Sequence, residues 1–290
     1  MKSILLTVLF SFFLIPVTSH ARTWHVRQDD TGDCTTIQAC VDSAGNGDTI
    51  LVAPGTYMEH VALFKVLVLI SEGGPSVTRL VRSSITDPIL LMGTGAVADG
   101  FTIRDGLCMG PCDAGGVYIG WGATLRNCLI VKNDARGIDS PGDGGGVLAA
   151  GNAVIEGNTI VSNGPGAMGG GIYCMSGFTG QIVRNIVALN VSQGSAIYCE
   201  PGANPTFLCN NVWGNVGGDY GGACGNPTGL NGNISLDPLF CDSAQGDYRL
   251  GSDSPCANVP DCGQIGVFGI ACGPTPVTQT TWGRIKALFR

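Results

Sequence analysis

Apolar residues in this chain fall into short runs with a polar stop at either end. Five runs share one form, an apolar strand opened by Gly, Cys or Asn and closed by Asn or Asp. They are Gly100-Phe-Thr-Ile-Arg-Asp105, Cys128-Leu-Ile-Val-Lys-Asn133, Asn158-Thr-Ile-Val-Ser-Asn163, Asn185-Ile-Val-Ala-Leu-Asn190 and Asn210-Asn-Val-Trp-Gly-Asn215. Their starts lie 28, 30, 27 and 25 residues apart, and their closing residues repeat those intervals. A period of this size predicts a solenoid, one coil per repeat. A companion run, Gly116-Val-Tyr-Ile119, Gly146-Val-Leu-Ala149, Gly171-Ile-Tyr-Cys174 and Ala196-Ile-Tyr-Cys199, recurs at 30, 25 and 25. Each coil therefore carries at least two aligned strands, with a third expected in the less regular remainder.

Strand alternation sorts these residues by face. On the companion strand, Val117, Val147, Ile172 and Ile197 are expected inward, with Ile119, Ala149, Cys174 and Cys199. Tyr118, Leu148, Tyr173 and Tyr198 are then outward. On the Asn-closed strand, Phe101, Leu129, Ile186, Ile103, Val131, Val161, Ala188 and Trp213 are expected inward. The closing Asp105, Asn133, Asn163, Asn190 and Asn215 would stand one rung, about 4.8 Å, apart. Their side chains are expected to form a ladder that satisfies the backbone at a tight bend, where Asn also tolerates left-handed geometry.

Before the repeats, Thr23 to Arg27 reads as a first strand. In Thr36 to Ala44, Ile37, Cys40, Val41 and Ala44 have the spacing of a short amphipathic helix, capped by Thr35 or Thr36. An open strand stack exposes unpaired backbone and raw core, so this helix is read as its lid. Asp48 to Ala53, Val61 to Ile70 and Ile89 to Met92 are further apolar strands divided by Gly, Ser and Pro.

Composition narrows the class. Apolar residues are 44% and charged residues 13%, with 46 Gly and no three-residue period. That is ample for a core and unlike collagen or a disordered chain. A formal charge of −7 without a basic run argues against a nucleic-acid surface. Met1-Lys2, the apolar stretch Ile4 to Val17 and Ser19-His20-Ala21 read as a signal peptide over residues 1–21. No later run reaches 18 apolar residues, so a mature chain without a transmembrane anchor is expected. Its 13 cysteines point to disulfides. Cys34–Cys40 and Cys108–Cys112 are plausible pairs, as are pairings among Cys209, Cys224, Cys241, Cys256, Cys262 and Cys272. Cys174 and Cys199, equivalent on successive coils, are either a cross-rung disulfide or two core thiols. The mature histidines, His25 and His60, lack a zinc-hydrolase spacing and lie far from the cysteine phrases, which leaves a catalytic Cys little support.

Pro54-Gly-Thr-Tyr57 after Gly47-Asp-Thr-Ile-Leu-Val-Ala53, Asp99-Gly-Phe-Thr-Ile-Arg104, and the Gly-Gly-Ile-Tyr and Asn-x-Ile-Val phrases resemble right-handed parallel β-helix proteins of the pectin-lyase-like group. Over about residues 22–272 the resemblance implies an all-β, right-handed parallel β-helix. It would have a short N-terminal capping helix and a C-terminal closing segment, marked by Asp237-Pro-Leu-Phe-Cys241, Gly246 to Leu250 and Ser254-Pro-Cys256. Residues 273–280 then read as a linker. Residues 281–290 form a short tail, helical if Trp282, Ile285, Leu288 and Phe289 share a face.

That group includes lyases, hydrolases and adhesins. Its lyases use acidic groups to hold Ca2+ on a uronate while a basic side chain removes the α-proton, and hydrolases use paired carboxylates. The charged cluster Arg104, Asp105, Asp113, Lys132, Asp134, Arg136, Asp139 and Asp143 supplies the candidates, with Asp134, Asp139 and Asp143 foremost for catalysis or calcium. The rival reading is a solvated loop with incidental ion pairs. Tyr118, Tyr173 and Tyr198 are carbohydrate-binding candidates, since a stripe of aromatic faces suits sugar rings; an exposed strand favouring Tyr, or a stripe under a loop, explains them equally. The expectation is an exported or surface-associated protein, carbohydrate-binding or structural and needing no cofactor. Its partner would be a polysaccharide or cell-surface glycan; a lyase, hydrolase or adhesin is the alternative.

Overall fold

The computed structural model describes residues 21–109, 114–136, 142–165 and 167–274. The leader up to residue 20, the tail, Cys112, Asp113 and Asp139 lie outside the described residues. The helix forms as expected over Ile37–Ser43, with Thr36 at its N-cap and Ile37, Cys40 and Val41 buried. Two side chains from the first coil hold its ends. The Glu59 carboxylate accepts from Ile37 N and Gln38 N, each at 3.0 Å. The Lys65 ammonium donates to the carbonyls of Val41, Asp42 and Ala44 at 3.0, 2.8 and 2.8 Å. Both charges complement the helix dipole.

Behind the helix the chain winds as a parallel β-solenoid with three strand positions per coil. The first sheet runs from Thr23–Val26 to Thr206–Leu208, the second from Gly55–Met58 to Asn211–Trp213, and the third from Val61–Leu63 to Tyr220–Gly222. The first sheet is the third strand left open by the sequence. The apolar stretch Val61 to Ile70 is two strands, Val61–Leu63 and Val68–Ser71, on different sheets. The core is continuous along the axis: Leu125, Ile155, Ile182 and Phe207 from the first sheet meet Val117, Val147, Ile172 and Ile197 from the third.

The second sheet corrects the expected facing. Leu129, Ile130 and Val131 pair with Thr102, Ile103 and Arg104, a register of 27 rather than the 28 that equivalent phrases imply. The inward row is therefore Ile103, Ile130, Ile160, Val187 and Val212. Phe101 is inward as expected. Leu129, Val131, Val161, Ile186, Ala188 and Trp213 instead face outward, into a second core with Phe240, Tyr248, Leu250, Val259 and Ile265. The C-terminal segment folds back over this side, so the strand is apolar on both faces and alternation cannot orient it.

The bends use two ladders. In one, Asn133, Asn163, Asn190 and Asn215 each accept, at the side-chain oxygen, from the preceding row. In the other, Asn158, Asn185, Asn210 and Asn233 do the same. Asp105 is not a ladder member: Asn133 Oδ1 receives Gly106 N at 2.9 Å, so the row continues through Gly106. Asp105 stands one position earlier, at φ 62°, in the row of Lys132, Ser162, Leu189 and Gly214, all left-handed. The left-handed residue thus precedes the ladder Asn and makes the bend that the amide then secures.

Disulfides staple both ends of the solenoid. Cys34 bonds Cys40 as expected, and Cys209–Cys262 and Cys241–Cys272 hold the fold-back segment. Neither reading of Cys174 and Cys199 stands: Cys199 bonds Cys224, while Cys174 is a buried thiol, as are Cys128 and Cys256. Cys108 is also disulfide-bonded.

Candidate functional site

The fold-back segment ends its cover over Leu129 and Val131, leaving the outward side of earlier strands open. Register makes the change visible in one outward row, Thr56, Arg79, Thr102, Leu129, which passes from polar to apolar as cover begins. At this margin lies a groove of about 990 Å³. Its floor includes Thr102, Leu129 and Val131, the fold-back wall supplies Ser243 to Arg249 and Phe268, and Arg79, Arg104, Lys132 and Arg249 stand round it.

Two of these cations are committed. Arg104 pairs with Asp105 at 2.7 Å, and Arg249 grips Asp247 with Nε at 2.8 Å and Nη2 at 2.6 Å. The Arg249 hydrogen bond is the main reason the Asp247 carboxyl sits below the usual range. Among the described residues Arg79 and Lys132, both exposed, have no carboxylate partner. In a chain of net charge −7, this convergence marks a surface suited to anions.

A smaller pocket of about 360 Å³ shares Lys132 and Ser162 with the groove and adds Asp105, Asn133, Asp134 and Arg136. Asp134 begins the strand Asp134–Arg136, which pairs with Leu107–Met109 outside the three main sheets. Its carboxylate is buried and bonded to Arg136. Asp105 and Asp134 thus share a pocket. Asp143 lies elsewhere, on Gly142–Gly144 beside the third sheet, close enough to Tyr173 for its charge to be felt there. Among the described residues no three of His, Cys, Asp and Glu converge as metal ligands would.

The tyrosine stripe faces outward but is largely covered. Leu148 is buried and Tyr173 is 5% exposed, packed with Ala114 and Met168, while Tyr118 and Tyr198 are half-buried. Tyr173 stacks on Tyr198 at 5.5 Å and donates its hydroxyl to Glu200 at 2.7 Å. Burial first, then that carboxylate, push the Tyr173 phenol well above its ordinary value. The stripe thus packs mainly against its own neighbours, Ala114, Leu148 and Met168. Burial also pushes the Cys128 thiol up to about 12 and Cys256 to about 11, which leaves neither a nucleophile at neutral pH.

Sequence reasoning had Lys132 and Arg104 in view but missed Arg79 and Arg249. The available signal was the single arginine in Thr78-Arg-Leu-Val81, outward on a strand whose other side is core.

No curated protein matches the chain by sequence. Solved structures similar to it include pectate lyase Pel9A, at 11% identity and TM-score 0.36 over 87% of this chain and 97% of that one. Pectin methylesterase from carrot aligns at 12% and 0.31 over 78% and 93%. Pectin methylesterase from Aspergillus niger aligns at 12% and 0.30 over 75% and 90%. Among the described residues no helix is long and apolar enough to cross a membrane. Residues 86–234, just over half of the sequence, match the model of the right handed beta helix region, and the chain belongs to that family.

Proposed function

We propose that this is an exported or surface-associated β-helix protein that binds an acidic glycan in the groove between the second sheet and the fold-back segment. One observation carries the reading: Arg79 and Lys132 open into the same groove without carboxylate partners among the described residues. A uronate chain supplies a carboxylate per sugar for these cations, and its hydroxyls suit the Ser243, Gln245 and Ser162 side chains along the walls. Four disulfides with both partners described support export, because such staples persist in oxidising compartments. Titration with hexagalacturonate tests the reading. The wild type is expected to bind, with affinity falling as salt rises. Arg79→Ala and Lys132→Ala are each expected to weaken binding about tenfold, as loss of a charge-assisted contact of ~1.4 kcal/mol would. Undiminished binding in both variants would remove the groove from consideration.

A second reading, cleavage, is favoured by the shared pocket of Asp105, Asp134 and Lys132. It places a basic side chain beside two carboxylates, the groups that uronate elimination or glycoside hydrolysis requires. It predicts unsaturated uronate absorbance or new reducing ends from polyuronates, lost in Asp134→Asn. Binding with no product across a polyuronate panel would retain the first reading and discard this one.

A further inference from the structure

We infer that the corner between the third and first sheets is a second glycan site, built to stack a neutral, extended sugar chain on Trp121 and Phe64. These two aromatics are 64% and 71% exposed, while the other aromatic rings among the described residues are buried or half-buried. In-register pairing of Val61–Leu63, Leu90–Met92, Val117–Ile119 and Val147–Ala149 sets the residues that follow them in rows along the axis. The Trp121 ring lies over a glycine on the next rung, and the edge of the Phe64 ring touches one. A Cβ on Gly151 would stand 2.6 Å from Trp121 Cδ2 and Cε3, and one on Gly93 would stand 3.5 Å from Phe64 Cδ1. The missing side chain at Gly151 lets the indole lie against the backbone of the neighbouring coil, with its other face in water.

Ring orientation selects the ligand. A membrane anchor projects its aromatics away from the surface, whereas a ring laid on a glycine presents a flat face to the apolar side of a pyranose. The two aromatics are two rungs, about 9.6 Å, apart along the axis, a spacing at which an extended β-linked chain can rest on both. Exposed Thr94 lies on the rung between them, and Asn152 Oδ1 reaches to 3.9 Å from the Cβ position of Gly122, beside Trp121. Both can bond sugar hydroxyls. The ammonium of Lys65, on the same corner, is turned into three helix carbonyls. The corner therefore suits an uncharged glycan, unlike the cationic groove on the second sheet.

Affinity electrophoresis of the full chain tests this. Gels containing hydroxyethyl cellulose or xylan are expected to retard the protein, and gels containing α-linked dextran are not. Trp121→Ala and Phe64→Ala are each expected to weaken retardation about tenfold. Trp121→Phe should keep part of it, and the urea midpoints of all three should match the wild type. Arg79→Ala and Lys132→Ala should leave retardation unchanged, which separates this site from the groove. Three results would overturn the assignment. One is unaltered migration in every neutral glycan; another is equal retardation of wild type and both alanine variants. The third is loss, in those variants, of binding to phosphatidylcholine–phosphatidylglycerol vesicles without any glycan effect.

Discussion

Asn163 sits at the centre of the closing ladder, fully buried, and its loss should cost several kcal/mol although it touches no groove floor. Its Oδ1 accepts from Asn133 N at 3.0 Å and Asn133 Nδ2 at 3.1 Å, while its Nδ2 donates to Ile130 O and Asn190 Oδ1, each at 3.0 Å. Asn163→Ala strands the Asn133 backbone N–H in the interior, worth ~1–3 kcal/mol. The other three bonds are partly replaced, since Asn133 Nδ2 keeps Ile103 O and Asn190 Oδ1 keeps Asn163 N. At ~0.5–1 kcal/mol each, they bring the expected loss to about 2.5–6 kcal/mol. Urea unfolding followed by circular dichroism at neutral pH measures it. Asn215→Ala, at the half-buried end of the ladder, should cost about half as much.

Asn163→Asp adds a sign test. A carboxylate there cannot donate to Ile130 O or Asn190 Oδ1, so its folded pKa should rise above the ordinary ~3.9. This variant's stability should be greatest below that value and fall as pH rises through the folded pKa. A loss under ~1 kcal/mol for Asn163→Ala, or a larger loss at Asn215, would refute the ladder as the support of the bends.

Three further outcomes follow from the caps and staples. Lys65→Met removes the cation from three carbonyls at the helix C-terminus and should destabilise by about 1–2 kcal/mol, read as a lower urea midpoint. Replacing both Cys209 and Cys262 by Ser opens a loop spanning 53 residues and should cost about 4 kcal/mol on the chain-entropy model. Hydrogen exchange should then quicken first at Tyr248, Leu250 and Ile265, which the fold-back segment contributes to the second core. Asp48 is held below the usual carboxyl range by Arg22 N, then by the Trp24 indole and Gly45 N. Its contribution is present above the ordinary value of 3.8 and is lost as pH falls through the depressed one, so Asp48→Asn should flatten the acid limb of Trp24 fluorescence.

The repeat was legible because stacked coils demand a fixed period and because a buried amide at each bend has few substitutes. Facing on the second sheet was not. Leu129, Ile130 and Val131 are all apolar and all buried, because one side meets the solenoid core and the other meets a segment more than 100 residues later. Asp105 resembled a ladder member because it closes the same phrase, yet it holds the left-handed position that Lys132 and Ser162 hold elsewhere. The groove was hidden for a related reason. It exists only where the fold-back cover stops, and that edge depends on two disulfides whose partners a cysteine count cannot assign. The setting of Trp121 was not legible either, because the Gly151 beneath it belongs to the next coil, 30 residues on.

Lysine footprinting tests the proposed groove most directly, because Lys65 and Lys132 differ so sharply in setting. Lys132 is exposed at the junction of both pockets, while the Lys65 ammonium is engaged by helix carbonyls. Acetylation with and without hexagalacturonate, read by mass spectrometry, should show Lys132 modified rapidly in the free protein and protected in a saturable way by the oligomer, with Lys65 unchanged. Equal Lys132 labelling at every hexagalacturonate concentration would contradict an acidic-glycan site in the groove.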